Sequence, residues 1–131
     1  MRSIALVLVF AFVAAACGGS DGPDADRFCE LLDEIEAQDT SGLSPEDALP
    51  IIREGRDNFA ESIEVAPEEI QADAETVANG AIQFTDLLIE AGGDDSAVDQ
   101  TAALELVGAV FTPEFDAASD RVETWRSTNC S

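Results

Sequence analysis

Three residue types that often carry chemistry are missing from this sequence: histidine, lysine and tyrosine. Without histidine, the chain lacks the commonest general base near neutral pH and the commonest metal ligand. Without lysine, it cannot form a Schiff base with a carbonyl substrate. Glycine-rich phosphate-binding loops are absent as well. We therefore predict a protein that is not an enzyme, with no catalytic residues and no cofactor.

Positive charge is scarce. Six basic residues, all arginine, stand against 28 Asp and Glu residues, which gives a formal net charge of −22 at pH 7. This balance predicts no binding to nucleic acid, because such binding relies on basic side chains that neutralise phosphates. It also disfavours direct adhesion to anionic lipid headgroups. The simplest role of the acidity is solubility.

Two alternatives rest on the carboxylates. A pair with well-separated pKa values could catalyse acid–base chemistry on an envelope substrate such as a glycan, although no pair can be selected from the sequence. Acidic oxygens could also bind a divalent cation such as calcium. The densest segments for such a site are DGPDADRFCE (21–30) and GGDDSAVDQ (92–100), and neither has the spacing of an EF-hand loop.

Only the N-terminus has a long apolar run, from Ile4 to Val13, preceded by Arg2. This run is too short to span a bilayer comfortably, so residues 1–16 are predicted to be a signal peptide. Ala15-Ala16-Cys17 matches the cleavage site of the lipoprotein peptidase, although Ala14 stands where leucine is usual. Ala14-Ala15-Ala16 also suits the ordinary signal peptidase, and the sequence leaves this choice open.

The cysteine count supports lipidation. The chain has three cysteines, and an exported protein tends to pair them. If Cys17 carries lipid, Cys29 and Cys130 can form one disulfide. The alternative is a free or intermolecular thiol at Cys17. Residues 17–23, CGGSDGP, are small and polar, as expected of a flexible tether between a lipid and a folded domain.

Residues 24–131 are predicted to form one helical domain. Apolar residues recur at helical spacing, and no stretch alternates with period two for long. The expected helices cover about 24–37, 50–65, 67–91 and 97–111, and a last helix starts at Pro113. The stretch 44–49 is expected to form a separate short turn. Gly92-Gly93 is expected to stop the longest helix, 67–91. Ile52, Phe59 and Ile63 are expected to face inward.

The longest helix shows a narrow apolar seam at Ile70, Ala74, Val77, Ala81, Phe84, Leu88 and Ala91. The next helix carries Leu104, Val107 and Phe111 at helical spacing. The pattern predicts an all-α fold, a small bundle of four to five helices. A bond between Cys29 and Cys130 would join its first and last helices.

Three segments resemble a group of small actinobacterial helical lipoproteins: FCELLDEI, APEEIQADAETV and VETWRSTNC. Those proteins have an aromatic-Cys start and a late V-x-x-aromatic helix that closes on a terminal cysteine. The resemblance covers most of the chain after Cys17. It implies a helical fold and a place outside the cell membrane, and it carries no catalytic residues across.

Together these features predict a non-enzymatic, exported lipoprotein, anchored to the outer face of the bacterial cell membrane through lipid on Cys17. We expect it to be a binding module of the cell envelope, with a protein or a small ligand as its partner. The sequence identifies neither the binding residues nor the oligomeric state.

Overall fold

The computed structural model describes residues 23–131, and every regular element in that range is helical. The elements follow in the order α1 (Ala25–Ala37), α2 (Pro45–Val65), α3 (Gln71–Glu90), a 3₁₀ turn (Asp95–Ala97), α4 (Gln100–Val110) and α5 (Pro113–Asn129). Cys29 in α1 is bonded to Cys130, which directly follows α5, with 5.5 Å between the two Cα atoms. The predicted all-α bundle with its first and last helices joined by one disulfide is confirmed.

Polar side chains cap the first turns of four helices. Each accepts a hydrogen bond from the backbone N–H three residues later, at 2.8 to 3.3 Å; the capping residues are Asp24, Ser44, Asp99 and Thr112. A cap of this kind stabilises a helix by about 1 kcal/mol. α2 and α5 also have proline at their first position, where its missing N–H has no intrahelical partner to lose.

α3 lies in the middle of the bundle. α2 packs along one side of it, and α4 and α5 share another. The N–H of Asp24 donates to the carbonyl of Val65 at 2.8 Å, so α1 begins where α2 ends. We call this end of the bundle, which also holds Cys29 and Cys130, the disulfide end. α5 covers α3 at the disulfide end, and α4 covers the opposite half.

The core is concentrated at the disulfide end. Phe28 and Leu31 of α1 are fully buried, and they pack with Val65, Ile70, Ala74 and Val122. The ring of Phe28 meets that of Trp125 edge to face, with centroids 5.5 Å apart, a favourable aromatic geometry. α1 ends at Ala37, and Gln38, the residue after it, lies against Gly55 in the middle of α2.

The interruption predicted before residue 50 is wrong, because α2 is one helix of 21 residues that starts at Pro45 and passes through Pro50. Pro50 cannot donate to the carbonyl of Glu46, but both residues are exposed near the start of the helix, where water replaces the lost bond. The backbone of Gly93 also packs against Pro45 and Leu49, so a tertiary contact supports this turn.

The predicted start of the next helix at 67 is also wrong. Residues 67–70 form a turn in which the N–H of Ile70 donates to the carbonyl of Pro67 at 3.0 Å. α3 begins at Gln71 and has 20 residues, one fewer than α2, so it is not the longest helix. No side chain caps α3, because Ile70 at its cap position is buried in the core instead.

The buried faces of α2 and α3 differ from those predicted. Ile52, Phe59 and Ile63 are only half-buried, and the buried face of α2 consists mostly of small and polar residues: Ala48, Gly55, Asn58, Ser62 and Val65. Short side chains let α2 and α3 approach closely. In α3, Ala78 and Gly80 are buried outside the predicted narrow seam, because this helix has neighbours on more than one side.

Two glycines within helices provide a matched stability test. A Cβ on Gly80 of α3 would lie 2.7 Å from both Val110 and Phe115, whereas a Cβ on Gly108 of α4 would meet nothing within 4 Å. Alanine inside a helix is more stable than glycine by roughly 0.5–1 kcal/mol. We expect Gly108→Ala to raise the free energy of unfolding in urea by that amount. Gly80→Ala should lower the free energy of unfolding by roughly 1–3 kcal/mol, because Val110 and Phe115 must move to make room for the new methyl group. Equal effects of the two substitutions would contradict the close contact at Gly80.

Loss of the disulfide should destabilise the domain strongly. The bond links residues 101 positions apart, and closing a loop of about 100 residues is worth roughly 4.7 kcal/mol in the chain-entropy model. We expect the double variant Cys29→Ser/Cys130→Ser to unfold at a lower urea concentration, with a loss of about 2–5 kcal/mol. Reductant should move the wild type to the same midpoint and leave the double variant unchanged. A wild type insensitive to full reduction would contradict this role.

Candidate functional site

The predicted lipid site, Cys17, lies outside the residues that the structure describes, as do the predicted signal peptide 1–16 and all of the predicted tether 17–23 except Pro23. Pro23 shares a shallow groove with Trp125 and Asn129 at the disulfide end. The chain that precedes α1 therefore enters the domain at that end. Cys29 and Cys130, the other two predicted site residues, are paired there.

Three carboxylates in the two acidic segments that were the densest candidates for a cation site have structural partners. Asp24 caps α1, and Asp99 caps α4. Asp94 accepts hydrogen bonds from the N–H and the hydroxyl of Ser96, at 2.9 and 2.6 Å. Within residues 23–131, no three His, Cys, Asp or Glu side chains are grouped closely enough to hold a metal ion.

Several carboxyl groups have a pKa held below its ordinary value. The largest cause is in each case a hydrogen bond from a neighbouring side chain to the charged form: Ser41 to Asp39, Arg27 to Glu61, Arg121 to Asp73 and Ser96 to Asp94. A catalytic general acid needs the opposite, a pKa raised by an apolar site or by a like charge. These four groups therefore do not supply the pair of carboxyls that the enzymatic alternative requires.

Most of the arginines connect helices. Arg27 pairs with Glu61 and joins α1 to α2, with 2.7 Å between nitrogen and oxygen. Arg121 pairs with Asp73 at 2.6 Å and joins α5 to α3. Arg126 pairs with Glu36 at 2.5 Å and joins α5 to α1. A fourth, Arg56, joins α2 to Asp86 of α3. Between Arg56 and Arg121 the sequence has no basic residue, although acidic residues continue throughout.

The most distinctive surface is on α4. Leu104, Val107 and Phe111 are 72, 42 and 55% exposed, and their spacing of three and four puts them on one side of the helix. We call these three residues the α4 apolar face. A neighbouring side of α4 is anchored on α3, since Val110 is buried and a Cβ on Gly80 would touch it.

Aromatic contacts hold one end of the α4 apolar face in place. The ring of Phe111 lies 5.6 Å from that of Phe84 on α3 and 5.3 Å from that of Phe115 on α5, measured between centroids. Phe111 is therefore more than half exposed and yet fixed by two neighbours. Such a residue can present apolar area to another molecule with little further loss of side-chain entropy.

Acidic residues lie at both ends of α4 and along another of its sides. Asp99 precedes α4, Glu105 lies within it, and Glu114 follows in the first turn of α5. Glu105 also lines a groove between α3 and α4 together with Asp86 and Glu90, and no residue of the α4 apolar face lines that groove. Of these five carboxylates, only Asp86 has an ion-pair partner in the described part of the chain. The α4 apolar face thus lies on a helix that is flanked by acidic residues.

No family model, curated protein or solved structure matches this chain. The geometry of residues 23–131 therefore carries the functional inference. None of the helices described in that range is long and apolar enough to cross a membrane.

The Asp73–Arg121 pair predicts a specific pH dependence. The hydrogen bonds from Arg121, at 2.9 and 2.6 Å, hold the pKa of Asp73 below its ordinary 3.8. The pair therefore contributes stability that is fully present above pH 3.8 and is lost as the pH falls through the lowered pKa. We expect Asp73→Asn to lower Tm by a few degrees near neutral pH, with the difference shrinking towards zero in strong acid.

Glu75→Gln is the matched control for this variant, because Glu75 is exposed on the same helix and makes no ion pair with any described residue. It removes one negative charge from an acidic protein, so it should leave Tm equal or slightly raised. An Asp73→Asn effect that persists unchanged in strong acid, where Asp73 is protonated in the folded protein as well, would show that charge on Asp73 is not its cause.

Proposed function

We propose that this protein is a non-enzymatic binding module, anchored to the outer face of the bacterial cell membrane by lipid on Cys17, which engages its partner through the α4 apolar face. The observation that carries this proposal is the exposure of Leu104, Val107 and Phe111 on an otherwise acidic domain. Contiguous apolar surface on a small protein is typical of an interaction site.

The disulfide supports a location outside the cytoplasm. Disulfides persist in oxidising compartments and are rare in the cytosol, where thiols are kept reduced. The pairing of Cys29 with Cys130 also leaves Cys17 as the odd cysteine. Lipidation accounts for that residue, and the apolar run and small residues before it fit a signal peptide.

The geometry of the bundle favours a surface turned away from the membrane. The chain before α1 enters at the disulfide end, whereas α4 packs against residues 83–90 near the far end of α3. At 1.5 Å per residue, this part of α3 lies about 20–30 Å from the start of the helix. A lipid on Cys17 would therefore leave the α4 apolar face free to meet a partner in the envelope.

Mass spectrometry of the protein extracted from its own membranes tests the anchor. We expect the mass of the denatured protein to correspond to a chain that begins at Cys17 and includes a diacylglycerol-type adduct, with two hydrogen atoms gained when the reductant reduces the disulfide. Cys17→Ser should remove the adduct and shift the protein out of the membrane fraction. Extra mass in the native spectrum that disappears on denaturation would be a bound partner, as a binding module requires.

The variant Cys29→Ser/Cys130→Ser is the control for loss of a cysteine as such, and it should keep the adduct. Wild-type chain that is released without modification and carries a free thiol at Cys17 would contradict the lipoprotein proposal.

A further inference from the structure

The partner class can be inferred from the physical character of the α4 apolar face. We propose that this face binds a cationic amphipathic segment of another protein, an extended or helical stretch with apolar residues on one side and Lys or Arg around them. This inference rests on the proposed function as a binding module and adds the chemistry of its partner.

The shape of the surface favours a macromolecule over a small ligand. Leu104 is 72% exposed and projects from the domain, whereas small molecules are usually held in concave sites that enclose most of their surface. A side chain this exposed loses its contact with water only against a broad partner surface. An amphipathic segment that lies along α4 would meet positions 104, 107 and 111 together.

The charge of the surroundings selects among macromolecular partners. Asp99, Glu105 and Glu114 stand close to the α4 apolar face in the chain, and they have no ion-pair partner among residues 23–131. A second copy of this chain would bring the same charges against them, and the formal net charge of each copy is −22. An anionic lipid surface would be repelled in the same way. Basic residues in the partner, by contrast, would neutralise these carboxylates.

The test uses the full-length protein in nanodiscs of neutral phosphatidylcholine, with empty nanodiscs as the blank. The probe is a fluorescent peptide of leucine and lysine whose order gives one apolar helical side, and its control has the same composition in scrambled order. Fluorescence anisotropy measures both. We expect the ordered peptide to bind at least about tenfold more tightly than the scrambled one, because only the ordered peptide can match apolar area and charge together.

Protein variants separate the two components of the interaction. Leu104→Ser/Val107→Ser should weaken binding of the ordered peptide about tenfold or more, and Leu43→Ser should not, although Leu43 is as exposed as Val107 and lies on the loop before α2. Glu105→Gln/Glu114→Gln should weaken binding and reduce its dependence on salt. Phe111 stays unchanged because it packs on Phe84 and Phe115.

Three results would overturn the proposal. Equal binding of the two peptides would mean simple attraction of a cation to an acidic protein. Unchanged binding by Leu104→Ser/Val107→Ser would mean that the α4 apolar face is not the site. A dimer in analytical ultracentrifugation that this variant dissociates would identify a second copy as the occupant. If Cys17 carries lipid and a native partner is found but the peptide fails, the partner class is wrong and the binding module stands.

Discussion

The rest of the structure depends on the junction between the two ends of the domain, where Phe28 packs edge to face on Trp125 and Cys29 is bonded to Cys130. This junction holds α5 against the disulfide half of α3, so α4 must cover the other half. α1 has only 13 residues and ends beside Gly55. Among the described helices α4 packs mainly on α3, and its apolar face is exposed except where Phe111 meets Phe84 and Phe115.

Charge is distributed in accordance with this packing. At the disulfide end, three arginines stand between helices and lower the mutual repulsion of the many carboxylates there. Residues 57–120 contain no basic side chain, and in the half of α3 that α4 covers Arg56 of α2 is paired with Asp86. Surface ion pairs of this kind add little stability one by one.

Local signals in the sequence predicted most of the fold. The last helix begins at Pro113 as expected, and Gly92 and Gly93 adopt the positive φ that ends a helix. The continuation of α2 through Pro50 depends on tertiary contact with Gly93, which no local pattern contains. Asn58 and Ser62 are buried, although polar side chains usually face water. The hydroxyl of Ser62 donates a hydrogen bond to the carbonyl of Phe59 at 2.7 Å, so this buried polar group has its partner within α2.

The α4 apolar face could be predicted as a stripe but not as a surface, because α4 is apolar on more than one side. Leu104, Val107 and Phe111 share one side, and Leu106 and Val110 share another, so periodicity alone cannot decide which side meets α3. The structure places Val110 inside and Leu104 outside.

An exposed face of this kind would promote self-association in a neutral protein. In a chain with a net charge of −22, repulsion between copies opposes that outcome, and the same field attracts a cationic partner. In the proposed interaction, acidity and exposed apolar surface, which look unrelated in the sequence, act together as one determinant of partner choice.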